Sequence, residues 1–154
     1  MARELPAAEF MTMGGTDLGH SSWMTIDQAR IDSFAAATDD HQFIHVDPVA
    51  AAATPFGSTI AHGFLTLSLV VPLFHEVAVE PANKVMGINY GIDRLRFINP
   101  VRVGSRIRLQ ATLAEVTERA PGTYLATNDV IMEIEDEDKP ALVARLLTLH
   151  VTSG

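Results

Sequence analysis

The chain has 154 residues, of which 47% are apolar, and a formal net charge of −8. That size and composition exclude a disordered chain and suit one domain, residues 1–154, with a real core. The absence of cysteine excludes disulfides, thiolate chemistry and a thiolate zinc site, and the acidic balance argues against a nucleic-acid partner.

The N-terminal residues Met1 to Pro6 lack a basic region followed by an apolar core, so no signal peptide is expected, and a cytoplasmic location fits. A first helix is expected from Thr25-Ile26-Asp27-Gln28. Thr25 is read as its cap and Gln28 as the residue reaching back, in a capping box. Ile26, Ala29, Ile31, Phe34 and Ala37 supply its apolar stripe, and Thr38-Asp39-Asp40-His41 ends it. A second, short helix is expected at Asp47-Pro48, with Asp as cap and Pro at the first helical position. Residues 61 to 75 are apolar nearly all round, which predicts a helix buried on all sides and kinked or ended at Pro72. It falls short of the roughly 20 apolar residues that cross a bilayer, so no membrane partner is expected.

After Lys84 the period becomes two. Met86, Ile88, Tyr90 and Ile92 share one face, and Leu95 and Phe97 continue on the opposite parity. That switch at Asp93-Arg94 predicts a β-bulge. Asn99-Pro100 breaks the strand, the alternation resumes from Val103 to Leu113, and Ala120-Pro121-Gly122 makes a turn. Two further strands, 124–135 and 141–151, flank the acidic loop 135–140. Consecutive strands with short turns are antiparallel, and with one apolar helix to bury they imply an α+β fold, a sheet curled round a helix.

Chemistry concentrates in two places. In Asp39-Asp40-His41-Gln42-Phe43-Ile44-His45-Val46-Asp47-Pro48, a carboxylate and an imidazole five residues apart can converge on one water. Imidazole can take a proton from it near neutral pH and return it. Loop Asp and His residues also serve as caps and turn formers. In Ile60-Ala61-His62-Gly63-Phe64, a glycine at a helix start can offer its N–H to a developing oxyanion, or simply permit tight helix–sheet packing. Six of the 11 Lys and Arg residues fall between Lys84 and Arg108, a basic zone that either receives an anionic small molecule or is a solvated strand face. His41 and His45 lie four apart, but in a loop without an acidic helical partner, so no metal is expected.

Together, Asp40-x4-His45-x-Asp47-Pro48 and Ala61-His62-Gly63 resemble the MaoC-like (R)-specific enoyl-CoA hydratases. Residues 42–69 are closer still to the nodulation-protein-N-like branch, and residues 89–97 and 100–105 are similar to the second half of the family. The resemblance covers roughly residues 20–150. It implies a hot-dog fold, an antiparallel sheet wrapped round a long helix and paired into a homodimer. It implies hydration of a trans-2-enoyl thioester to the (R)-3-hydroxyacyl product, with no cofactor beyond the CoA or carrier-protein arm of the substrate. On the matching positions His45 would take the water proton and Asp40 would orient the water and deliver a proton to the α-carbon. The Gly63 N–H would meet the thioester oxygen, with Ser68 and His62 in support. Arg94, Arg96, Arg102 and Arg108 are the candidates to meet the substrate phosphates. Gln42 and Phe43 depart from the Asn and Pro common in the family, which bears on pocket shape. A thioesterase on the same fold and a non-catalytic acyl-thioester-binding subunit are the competing readings.

Overall fold

The computed structural model describes residues 2–153. In chain order the elements are β1 (Arg3–Leu5), α1 (Ala7–Phe10), β2 (Thr16–His20), β3 (Met24–Thr25), α2 (Gln28–Thr38), α3 (Phe43–Val46), α4 (Pro48–Ala52), α5 (Gly63–Val77), β4 (Val79–Pro81), β5 (Lys84–Phe97), β6 (Arg106–Ala120), β7 (Thr123–Ile134) and β8 (Leu142–Thr152). Six strands form one antiparallel sheet in the order β2-β6-β7-β8-β5, with β3 also paired to β6. The inward residues of β6, Ile107, Leu109 and Ala111, pack with Val130, Met132, Leu142 and Leu146 against Leu65, Leu69, Val70 and Leu73 of α5. Alternation on the strands and the apolar stripe on the helix thus meet in one core.

The expected bulge is present. The register of β5 against β8 shifts between Asp93 and Arg96, and Arg94 takes a left-handed φ of 56°. The extra residue restores Leu95 to the core side, where it packs against the main cluster. Gly122, at φ 71°, closes the turn between β6 and β7.

Three expectations need correction. Helix α2 begins two residues later than the capping box implied: Asp27 accepts the Arg30 N–H at 2.9 Å, and Thr25 lies in β3 opposite Arg106. Aspartate at that position satisfies the free amides unaided, which leaves Gln28 available for another role. Helix α5 is not enclosed on every side. Phe64 is 66% exposed, and Ser68, Pro72 and His75 along the same side are exposed too. Pro72 does not end α5, which continues to Val77; its open side lets solvent serve the Ser68 carbonyl that a proline cannot bond.

The first 25 residues carry structure that the periodicity did not announce. β1 pairs in parallel with β4. Helix α1 drives Phe10, fully buried, into a second cluster with Leu113, Val116, Tyr124 and Ala126. Among the described residues, no helix is long and apolar enough to cross a membrane.

Candidate active site

The end of α2 sets the site. Asp39, the residue after the helix, adopts a left-handed φ of 58° and turns the chain. Asp40 emerges beside the one-turn helix α3, which carries His45. Asp47 then caps α4, accepting the Val49 and Ala50 N–H groups at 3.0 Å each. It is a structural carboxylate, as expected. Asp40, His45 and His62 each offer a side-chain oxygen or nitrogen, and these atoms lie within 4.8 Å of one another.

His45 is 6% exposed. Its Nδ1–H donates to the Ile60 carbonyl at 2.6 Å, because a carbonyl can only accept. That leaves Nε2 as the basic nitrogen. Burial lowers the His45 pKa from its ordinary value, and the neighbouring His62 lowers it further; the Ile60 carbonyl and Asp40 oppose them. The net result is a neutral imidazole ready to accept a proton. His62 stacks on His45 with ring centroids 3.8 Å apart and an interplanar angle of 25°. Its own Nε2–H donates to the Asp40 backbone carbonyl at 2.9 Å. One ring therefore touches both members of the pair. Phe34 of α2 packs against the same His62 ring, with centroids 5.0 Å apart.

The same stack bears on metal binding. A nitrogen lone pair lies in the plane of its ring, and two nearly parallel planes about 3.8 Å apart share no point where one ion could sit about 2 Å from both nitrogens. The stack therefore disfavours a single ion held by both rings.

Gln28, read from the sequence as a cap, is the strut of the site. Its Nε2 donates to the His45 carbonyl at 2.8 Å and to Asp32 Oδ1 at 2.8 Å, and its Oε1 accepts the Thr59 hydroxyl. No periodicity signals that role, because two of the three partners, the His45 carbonyl and Thr59, lie 17 and 31 residues away.

A cavity of about 300 Å³ opens beside the pair, lined by His45, Gly63, Thr66, Phe56, Phe97 and Ile98 among others. Gly63 starts α5, and a Cβ there would come within 3.2 Å of the Phe97 ring. Gly63 thus packs closely against Phe97, and the start of α5 borders the cavity. Asp40 itself is exposed, as is Phe43 at 48%. The apolar walls come from Phe56, Phe97 and Val101 rather than from Phe43.

The remaining candidates divide. Ser68 does not join the pair; its hydroxyl donates back to the Phe64 carbonyl at 2.8 Å and lines a separate groove. About one and a half turns of helix carry it past the site. Arg108 is also elsewhere. It pairs with Glu133 at 2.6 Å and lies over the Trp23 ring at 4.5 Å, on the outer face of the sheet. There it lines a broad depression of about 620 Å³ with Trp23 and the acidic loop, away from the pair. Arg94 is exposed at the bulge. Arg96 and Arg102 sit nearest the cavity by position, next to its wall residues Phe97 and Val101. Arg102 donates to the carbonyl of Phe56, a third wall residue, at 2.9 Å.

Comparison with known proteins bears on this geometry. The MaoC like domain profile matches residues 9–134. The chain is 48% identical to nodulation protein N of Rhizobium leguminosarum bv. viciae, over 95% of this chain and 91% of that protein. It is 45% identical to 3-hydroxyacyl-thioester dehydratase Z of Mycobacterium tuberculosis H37Rv, over 94% of this chain and 95% of that one. Among solved structures, the (R)-hydratase of Aeromonas caviae superposes with a TM-score of 0.71 at 24% identity, covering 88% of this chain and 94% of that chain. At that identity the likeness is one of fold.

Proposed function

The chain belongs to the MaoC-like domain family and has its hot-dog fold, and we propose that it is an (R)-specific hydratase, reversible as a dehydratase, acting on 2-enoyl and 3-hydroxyacyl thioesters. One observation carries the reading: a buried, neutral His45 with a free Nε2, beside the Asp40 carboxylate, in a cavity that also bares the start of α5. In the hydration direction, His45 Nε2 removes a proton from a water that Asp40 orients. The water oxygen bonds to C3 as the C2–C3 π electrons move toward C2. The charge that builds on the thioester oxygen is met by the Gly63 N–H, favoured by the helix dipole. The pair then delivers a proton to C2 on the face that received the water, and the product is the 3-hydroxyacyl thioester. Water held on one side by two groups of one loop supports a single stereochemical course.

The CoA or carrier-protein arm enters past Phe56 and Phe97, and Arg96 and Arg102 meet its phosphates. Charge reversal at either should then raise KM with little change in kcat. A second copy of the chain covers edge strand β5, whose Met86 is 49%, Tyr90 56% and Ile92 41% exposed on its two faces. Sedimentation as a monomer at micromolar concentration would remove that part of the proposal.

The decisive experiment follows the loss of enoyl-thioester absorbance on adding the protein to trans-2-enoyl-CoAs, with chiral analysis of the product. The Asp40→Asn and His45→Gln variants should each lower kcat by at least about 100-fold. Release of free thiol would redirect the reading to a thioesterase. Tight acyl-CoA binding without turnover would redirect it to a binding subunit.

A further inference from the structure

One side-chain bond aims the His45 ring. Its Nδ1–H donates to the Ile60 carbonyl at 2.6 Å, so the direction of Nε2 depends on where that carbonyl lies relative to the His45 backbone. Stacking on His62 restrains the tilt of the ring but not its travel in the plane of the stack. Ile44 and His45 belong to α3, while Thr59 and Ile60 belong to the irregular stretch between α4 and α5. A backbone bond joins the two segments, from the Ile60 N–H to the Ile44 carbonyl at 3.1 Å. The other link is a side chain. Gln28 Nε2 donates to the His45 carbonyl at 2.8 Å, and Gln28 Oε1 accepts the hydroxyl of Thr59. One amide thus spans the residue that carries the proposed base and the residue next to the carbonyl that holds it.

The orientation of that amide is fixed by its partners. The His45 carbonyl and the Asp32 carboxylate, each 2.8 Å from Gln28 Nε2, can only accept. Both must face the amide nitrogen, which leaves the amide oxygen toward Thr59 and obliges the Thr59 hydroxyl to donate. Thr59 is 1% exposed, so its hydroxyl depends on Gln28 for a partner. The Thr59 carbonyl accepts the Val103 N–H at 3.0 Å, which anchors Thr59 to the segment that follows Val101. Gln28 is the first residue of α2, where Asp27 already supplies the cap, so the helix itself makes no demand on this side chain. Neither Gln28 nor Thr59 lines the cavity beside the pair. They stand behind the base, away from the space open to a substrate.

We propose that Gln28 and Thr59 are positioning residues, which hold the His45 ring in the place and tautomer from which Nε2 acts, and which affect turnover through that ring rather than substrate binding. The proposal rests on the hydratase reading above and adds to it two residues that touch no reacting atom. Without the amide bridge, the two segments keep one backbone bond and the bond of the ring itself. Losing one such hydrogen bond favours the released arrangement by up to about tenfold. A base displaced by about 1 Å costs about 100-fold in rate.

The test pairs a measurement on the ring with one on the reaction. In protein carrying nitrogen-labelled histidine, the His45 Nδ1–H is the ring signal that vanishes in His45→Gln, and its exchange with water is followed by NMR. Gln28→Leu and Thr59→Val should each speed that exchange by about tenfold. Each should lower kcat for crotonyl-CoA by about 10- to 100-fold, with KM within about twofold. Thr59→Ser, which returns the hydroxyl, should restore both readings. The double variant should fall no lower than Gln28→Leu alone, because the two residues work through one bridge. A thermal melt checks that each variant is folded, and if Gln28→Leu does not fold, the Thr59→Val and Thr59→Ser pair carries the comparison. Unchanged exchange and kcat in the folded variants overturn the proposal, as does a loss confined to KM, or a Thr59→Ser variant no better than Thr59→Val. The exchange measurement needs no turnover. Faster exchange in a protein that hydrates no enoyl thioester upholds the hold on His45 and sinks the hydratase reading alone. Hydration indifferent to the variants sinks the positioning residues alone.

Discussion

The Gly63→Ala substitution tests whether the start of α5 works as an oxyanion site or only as a packing point. The added Cβ would lie 3.2 Å from Cδ1 and Cε1 of Phe97 and 3.3 Å from Cζ. Ordinary carbon contacts fall at about 3.5–4.0 Å, so the ring must yield by about 0.3–0.5 Å. Phe97 is 47% exposed and has room to do so. Alanine also favours the helix by up to about 1 kcal/mol, which offsets the crowding. The melting temperature should therefore move by no more than about 3 °C. Activity should respond far more strongly, because the new methyl group and the displaced ring would both occupy the space proposed for the thioester carbonyl. Losing one such donor lowers rates by about 100- to 1,000-fold, and a displacement of about 1 Å by about 100-fold. The N–H itself survives here, so a drop of about 10- to 100-fold in kcat/KM is expected, mostly in kcat. The assay is steady-state hydration of crotonyl-CoA beside a thermal melt. A variant that melts normally and retains full kcat would refute the placement of the carbonyl at Gly63.

Other consequences are equally open to measurement. His150 titrates near 6.5 when unfolded and at about 4 when folded, so the folded state binds the proton less readily. Its contribution is fully present above about pH 6.5 and disappears as pH falls toward 4, a loss of about 3 kcal/mol at about 1.4 kcal/mol per pH unit. Urea melts between pH 7 and 4 should show that slope in the wild type and lack this part of it in His150→Phe. Phe10→Ala removes a fully buried ring from the second cluster and should lower stability by about 3–5 kcal/mol, readable in the same melts. His62→Phe keeps an aromatic ring against His45 but removes the bond to the Asp40 carbonyl and the electrostatic influence that lowers the His45 pKa. The His45 pKa then rises, so the acid limb of the pH–kcat/KM profile should move to higher pH; an unmoved limb would count against the stack as a tuning element.

The strands were legible because their signal is local. The alternation of β6 to β8, the parity switch at Arg94, the turn at Gly122 and the Asp47-Pro48 start are each written in adjacent residues, and each appears in the structure. The shared face read for Met86, Ile88, Tyr90 and Ile92 does not appear, because the register of β5 also shifts between Asn89 and Gly91 and turns Ile92 to the face opposite Met86 and Ile88. The grouping of Asp40 with His45 was legible for the same reason, since five residues of loop cannot separate them far. What the sequence hid is non-local. Gln28 reads as a cap until Thr59 and the His45 carbonyl are brought to it from 31 and 17 residues away. His62 stacks on His45 because the Ile60–Ala61 segment is bonded to Ile44 and Val101, a pairing no periodicity encodes. Ser68 was misplaced because similarity of position along a helix does not fix which side of it faces the loop. The N-terminal elements are too short to show a period, and β1 gains its meaning only from β4, more than 70 residues later.

The way residues 59–61, beside the proposed catalytic pair, are fastened has a bearing on time. Their backbone is bonded at Ile60 to Ile44, at Ala61 to Val101 and at Val103 to Thr59, and Gln28 ties His45 to α2. A segment held by ladder-like bonds on two sides opens only when those bonds break together, so its backbone exchange should be slow, as in a strand rather than a surface loop. The parts of the cavity free to move are side chains, chiefly the exposed rings of Phe64 and Phe97, which meet edge to face 6.0 Å apart. Ring and rotamer motions run in picoseconds to nanoseconds, against microseconds to milliseconds for a closing lid. If the thioester enters the cavity as proposed, the parts beside it that move fastest are these two rings, on a timescale far shorter than that of a closing lid.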